Sequence, residues 1–250
     1  MGSPAINTGS NPLGLTTDQR GEVRIQQGGI DIGAYESDLS LTPVPTSGDD
    51  DLTYTAADDI IDALAGNDTI RAKGGNDDIF GNTGNDKLLG QAGGDTLDGG
   101  SDNDTVNGGG GDDSLVGGSG NDRLLGGSGN DTVIGVDPNS ANLGVGERDI
   151  LIGNSGVDLF VLGNASAIFY DDSDTTNAAG NISRAFIRDF NIGVDLIQLN
   201  GNAEDYLLRT TNSGNTNIFY QPAGEVRDLI GIVRGVTGLD INSASQFSFV

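Results

Sequence analysis

The chain is 250 residues long, enough for one or two domains, and carries 37 acidic against 12 basic residues, a formal net charge of -25. Of the acids 32 are Asp, and with 42 Gly and 23 Asn they make a chain too rich in turn formers for an all-helical fold. The charge repels nucleic-acid phosphates and attracts cations, and the absence of His and Cys removes Ser-His-Asp and Cys-His nucleophiles, imidazole and thiolate metal sites and disulfides, so a metal must accept oxygen ligands.

Taken in chain order, Met1–Asn7 lacks the basic and apolar regions of a cleaved secretory signal, and Met1-Gly2-Ser3 reads as a cloning remnant ahead of a fragment. Residues 1–44 form an N-terminal flank. Within it Gly29-Ile30-Asp31-Ile32-Gly33-Ala34-Tyr35-Glu36 resembles the closing segment of parallel β-helix domains in large bacterial exoproteins. Leu41–Ser47, with Pro43 and Pro45, reads as the linker that follows. No apolar run reaches the roughly 18 residues of a membrane span.

From Pro45 the chain divides into nonapeptides, and ten consecutive units run without a gap to Ile134. The sixth position is Asp50, Asp59, Asp68, Asp77, Asp86, Asp95, Asp104, Asp113, Asp122 and Asp131. The eighth is Leu52, Ile61, Ile70, Ile79, Leu88, Leu97, Val106, Leu115, Leu124 and Val133. Gly135–Leu143 breaks the pattern as a degenerate or looped-out unit, and two further units follow, with Asp149 and Leu151, then Asp158 and Phe160.

Each unit has a turn half and a strand half. Gly117-Gly118-Ser119-Gly120-Asn121-Asp122 is expected to turn, with Gly and Asn supplying positive φ angles, and Arg123-Leu124-Leu125 to form a three-residue strand with its central aliphatic buried. One buried side chain cannot hold a strand alone, so units must stack as a solenoid of 18-residue coils. Units of even and odd rank then occupy opposite edges, and their Asp side chains stack about 5 Å apart. Like charges at that spacing need a cation between them. Carboxylates and exposed glycine carbonyls are the oxygen ligands of calcium, of which it takes six to eight, whereas magnesium holds its waters and a stricter octahedron.

These units resemble the GGxGxDxUx nonapeptide of the RTX, or haemolysin-type, calcium-binding repeat, and Gly108–Val116, Gly117–Leu125 and Gly126–Ile134 match it fully. The resemblance implies an all-β fold, a right-handed parallel β-roll solenoid over residues 45–161, binding several calcium ions. It implies carboxylate ligands at Asp68, Asp77, Asp86, Asp95, Asp104, Asp113, Asp122 and Asp131, and it extends to Asp50 and Asp158. The glycine-rich partners are Gly66, Gly75, Gly84, Gly93, Gly108, Gly109, Gly111, Gly117, Gly118, Gly120, Gly126, Gly127 and Gly129. Asp59 and Asp149 are carried less well, because Tyr54–Asp62 has no glycine and Glu147 takes the fourth position of its unit. Asp171, Asp172 and Asp174, outside the register, read as a solvated loop.

Residues 162–250 hold nine of the 13 aromatics and read as a β-rich C-terminal cap on the open coil end. Strands are expected at Ala167–Tyr170, Ala185–Phe190, Asp195–Leu199, Asn217–Tyr220 and Asp228–Val233. Ser245-Gln246-Phe247-Ser248-Phe249-Val250 reads as a closing strand and also resembles the uncleaved ending of type I secretion substrates. The leading expectation is a non-catalytic module for calcium-dependent folding and export, secreted and extracellular, with the type I secretion machinery as partner. The alternatives are an adhesive or matrix surface, for which cell-surface or extracellular polysaccharide is the partner, and a carboxylate-pair enzyme acting on polysaccharide, for which the sequence offers no acid in an apolar cleft.

Overall fold

The computed structural model describes residues 43–141, 143–171, 183–222 and 227–250. The N-terminal flank with Gly29–Glu36, and Asp172 and Asp174, lie outside them. Residues 43–250 form one compact unit built from two sheets. The strands, numbered in chain order, alternate between the sheets.

The first sheet takes β1 (Asp51–Thr53), β3 (Thr69–Gly74), β5 (Lys87–Ala92), β7 (Thr105–Gly110), β9 (Arg123–Ser128) and β11 (Arg148–Ser155) in that order. The second takes β2 (Ile60–Asp62), β4 (Asp78–Phe80), β6 (Thr96–Ser101), β8 (Ser114–Ser119), β10 (Thr132–Val136) and β12 (Leu159–Val161). All these neighbours pair parallel, at a fixed offset of one coil: Leu52 faces Ile70, Ile70 faces Leu88 and Leu97 faces Leu115. The eighth-position side chains from Ile61 to Val133, with Leu151 and Phe160, are at most 1% exposed. They form the core between the sheets, each burial contributing about 1.5–3 kcal/mol.

The interruption is looped out. Leu124 pairs with Leu151 and Val133 with Phe160, so the extra nine residues leave both sheets and the register resumes intact. A loop outside the ladder costs little closure entropy per added residue, whereas a unit with Ser140 and Asn142 in the marked places would break the buried stripe.

Six of the twelve repeat strands, β3 and β5–β9, are six residues long rather than three. They run on through the first three positions of the next unit, so position one also points inward, as Ala72, Gly90, Gly99 and Gly108 show. The positive φ angles fall at positions two and four, not at the Asn of position five. At position two glycine is replaced by Leu64 (φ 75), Lys73 (φ 82), Asn82 (φ 71) and Gln91 (φ 81). Left-handed backbone costs a non-glycine residue on the order of 1 kcal/mol, and exposed Gln91 makes no core contact that glycine would lose. Gln91→Gly is therefore expected to raise the thermal midpoint of the calcium-loaded chain by about 2–4 °C; an unchanged or lower midpoint would show that glycine's chain entropy outweighs the relief.

Both sheets continue with strands from beyond residue 162. β15 (Arg184–Ile187) and β19 (Asp228–Val233) extend the first sheet in parallel, then β18 (Thr216–Tyr220) and β17 (Tyr206–Thr210) finish it antiparallel. β16 (Leu196–Leu199) and β20 (Phe247–Phe249) extend the second, and β13 (Gly163–Asn164) with β14 (Ala167–Ile168) make a small hairpin. Each expected strand is present. β17 was not foreseen, because Tyr206–Thr210 has no alternation against flanking turns. Among the described residues no helix is long and apolar enough to cross a membrane.

Candidate metal centre

The turns at each edge are held by a ladder of aspartates. The backbone N–H of Asp50 donates to Asp68 Oδ1 (2.8 Å), Asp68 to Asp86 (2.7 Å), Asp86 to Asp104 (2.7 Å), Asp104 to Asp122 (2.8 Å) and Asp122 to Asp149 (2.8 Å). On the other edge the same bond links Asp59, Asp77, Asp95, Asp113, Asp131 and Asp158, at 2.8–3.0 Å. From Asp68 onward every position-six carboxylate thus spends one oxygen fastening its coil to the previous one.

The second oxygen has no such use. Oδ2 of Asp68, Asp77, Asp86, Asp95, Asp104, Asp113, Asp122 and Asp131 is buried with no hydrogen-bond partner, in side chains at most 3% exposed. Burial raises their proton affinity, only partly offset by the backbone N–H bond, and neighbouring aspartates raise it further. Asp86 is pushed up to about 6, Asp113 to about 7, and Asp104 and Asp122 to about 8. A buried unpartnered acceptor costs about 1–3 kcal/mol, more when charged, so eight in register require a compensating ligand.

Position one shows what surrounds these oxygens. A β-carbon on Gly90 would stand 2.2 Å from Asp95 Oδ2 and 2.7 Å from the Gly108 carbonyl oxygen. On Gly99 it would stand 2.5 Å from both Asp104 Oδ2 and the Gly117 carbonyl oxygen, and on Gly81 2.6 Å from Asp86 Oδ2 and 2.4 Å from the Gly99 carbonyl oxygen. The free oxygens of Asp86, Asp95 and Asp104 therefore each share a side-chain-free cradle with a carbonyl of the next coil. Gly108, Gly117 and Gly126 keep this cradle open; Ala63 and Ala72 put a methyl at the same position beside Asp68 and Asp77. Among the described residues no three acidic side chains converge, so a cation there would take most of its ligands from backbone carbonyls, a donor set that suits calcium.

The other glycines set the spacing. Gly66, Gly75, Gly84, Gly93, Gly111, Gly120 and Gly129 at position four, and Gly109, Gly118 and Gly127 at position two, all have positive φ. A β-carbon on Gly93 would lie 1.6 Å from the Gly75 carbonyl oxygen, so a side chain here would prise the coils apart.

At both ends the free oxygen is capped by the protein. Asp50, expected among the ligands, accepts at Oδ2 from the Thr46 N–H (2.7 Å) and hydroxyl (3.0 Å), because Thr46 stands at position two where it closes a local turn. Thr55 does the same for Asp59. Asp149, wholly buried, accepts the Tyr170 hydroxyl at 2.6 Å, which lies 2.0 Å from where a β-carbon on Gly135 would be. Asp158 keeps the ladder bond, and its own N–H donates to Asp195 Oδ1 (3.1 Å). Asp195, unforeseen as a rung, has Oδ2 filled by the Asn191 N–H at 2.7 Å. Its signal was present: Gly193, Asp195 and Ile197 keep the four, six, eight spacing, but 37 residues beyond Asp158, out of phase with the nines.

A second, exposed ladder also went unread. The N–H groups of Asn67, Asn85, Asn103 and Asn121 each donate to Oδ1 of the position-five residue one coil back, starting at Asp49, at 2.7–3.2 Å. The Asn side chains repeat the bond through Nδ2, which explains why position five favours Asn.

A parallel roll whose acidic turns stack in register is the architecture of a cation-binding repeat array. Residues 46–79, 53–88, 73–106, 80–115 and 107–135 match the model of the RTX calcium-binding nonapeptide repeat, and this part of the chain is an array of such repeats. A comparison with curated proteins finds no match. Among solved structures, the chain is similar to the solution structure of the AlgE6R3 subunit from the Azotobacter vinelandii mannuronan C5-epimerase, at 19% identity and a TM-score of 0.24, covering 78% of this chain and 75% of that one.

Proposed function

We propose that this chain is a calcium-driven folding module of an exported protein, and that it works by folding rather than by a chemical step. Residues 45–161 hold the ions, residues 162–250 close the open coil end, and residues 1–44 flank the module. The observation that supports this reading is the run of eight buried, unpartnered Oδ2 atoms from Asp68 to Asp131, those of Asp86, Asp95, Asp104 and Asp122 sharing a glycine cradle with a carbonyl of the next coil. Asp86, Asp95, Asp104, Asp113, Asp122 and Asp131 are the principal carboxylate ligands, since their position-one neighbour is glycine. In a cytosol poor in calcium the acidic turns repel and the chain stays loose, which suits passage through the type I machinery. Outside, millimolar calcium fills the cradles, and binding free energy becomes folding free energy. Attachment to a cell-surface or extracellular polysaccharide would use the loaded form.

Far-UV circular dichroism and size-exclusion chromatography, in chelator and across a calcium titration to millimolar, test this. A cooperative gain of β signal with compaction in calcium, and none in equal magnesium, is expected. A chain already compact in chelator and unchanged by calcium would sink the reading.

A further inference from the structure

The end of the first-edge ladder departs from the repeats. Asp149 has spent both oxygens, one on the Asp122 N–H and one on the Tyr170 hydroxyl, so it leaves nothing for a cation shared with Asp122. Asp122 Oδ2 nevertheless stays buried and unpartnered. A different carboxylate has moved beside it. Glu147 stands at position four of its unit, where Gly111, Gly120 and Gly129 stand elsewhere, and its backbone is pinned by N–H donation to the Gly144 carbonyl (3.1 Å) and by acceptance from the Arg184 N–H (2.9 Å).

The Glu147 side chain turns inward, only 8% exposed. Its carboxylate accepts from the Gly120 backbone N–H, two residues before Asp122, and the two coils lie side by side, the Asp122 N–H donating to Asp149 Oδ1 at 2.8 Å. Its Oε2 is buried with no partner, and among the described residues no ion pair engages it. Two acidic oxygens thus face a dry spot with neither a proton donor nor a cation from the protein. An unneeded carboxylate on the inserted loop would turn to water, because isolated buried charge is expensive.

We infer that Asp122 Oδ2 and Glu147 Oε2 form a terminal divalent-cation site, distinct from the repeat sites because its second carboxylate comes from the looped-out segment. It rests on the calcium reading above. Asp149 and Tyr170 form its back wall: the hydroxyl donates to the Asp149 oxygen that would otherwise be open to the ion. With two carboxylates on one ion and oxygen donors only, the site suits calcium and, more strongly, a trivalent lanthanide of similar size. A loop inserted into a repeat array thereby rebuilds the site it interrupts.

The test compares the full chain with Glu147→Gln, which keeps an acceptor for Gly120 but removes the charge. Bound calcium at saturation is counted by equilibrium dialysis on the compact fraction, and terbium emission is excited through tyrosine, Tyr170 being adjacent. Glu147→Gln is expected to bind one ion fewer and to lose most tyrosine-sensitised emission, with the remaining ions unchanged. An unaltered ion count with unaltered emission overturns the inference while leaving calcium-driven folding intact; a parent chain that binds no calcium overturns both. If Glu147→Gln yields no compact fraction, Glu147→Asp, which withdraws the carboxylate by one methylene, is counted instead. The same loss of one ion is expected, and the parental count overturns the site.

Discussion

Held in chelator at about pH 8, the chain is expected to be expanded and poor in β signal, and lowering the pH to about 5.5 without adding calcium to restore most of its compactness. The sign follows from the aspartates. Their folded-state pKa values are raised, chiefly by burial: Asp104 and Asp122 to about 8, Asp113, Asp149 and Glu147 to about 7, Asp86 and Asp158 to about 6. In the unfolded chain such groups titrate near 4. The folded state therefore binds more protons than the unfolded one between these values. Its stability is fully present below about pH 4 and is lost as pH rises through 6 to 8. Protons and calcium do the same physical job at Oδ2, removing an uncompensated charge. Acidification stops at 5.5 because the sequence pI is about 4.1 and loss of net charge favours association. Size-exclusion chromatography and circular dichroism across pH 5.5–8 in chelator provide the check. A chelated chain equally expanded at every pH would show that the buried aspartates are not what holds the apo roll open.

The sequence disclosed whatever repeats, and little of what happens once. Asp at six and an aliphatic at eight recur often enough to give the solenoid, its two edges and the rungs from Asp68 to Asp131. Both rows face their environment through one fixed rule of strand alternation, so period alone places them. The caps were hidden because each is a single long-range or out-of-phase event. Nothing in a nine-residue frame says that Thr46 satisfies Asp50, that Tyr170 reaches back to Asp149 across a hairpin, or that Asp195 is a rung 37 residues past Asp158. Strand length was misjudged for another reason. Positions one to three, as in Gly108-Gly109-Gly110, have turn-like composition, yet they continue the strand, and glycine at position one is demanded by the crowding of the carboxylate rather than by a turn. Asn at position five was misread likewise, since its side-chain ladder between coils, not its tolerance of positive φ, selects it.

Asp104→Asn should reverse its effect on stability with calcium. The amide keeps an oxygen for the Asp86 N–H bond and puts an NH2 where Oδ2 was, beside the Gly117 carbonyl oxygen that it can satisfy. In chelator at pH 7.5 the parent must hold Asp104 protonated well above its unfolded pKa, or bury its charge. At about 1.4 kcal/mol per pKa unit, discounted for solvent screening, the substitution is worth roughly 2–4 kcal/mol of apo stability. In saturating calcium it does the opposite, because a carboxylate ligand at the middle of the first edge is replaced by a neutral group whose NH2 points a positive dipole at the ion. The loss is of similar size, and the calcium midpoint of folding moves up by about tenfold or more. The apo arm is read as the trimethylamine N-oxide concentration that folds the chain in chelator, since excluded osmolytes favour burial, and the loaded arm as the urea midpoint in millimolar calcium. Asp78→Asn, at an exposed strand position, is the charge control and should move neither. Destabilisation in both arms would mean that Asp104 serves the roll through its hydrogen bond alone, and the calcium role assigned to its second oxygen would fall.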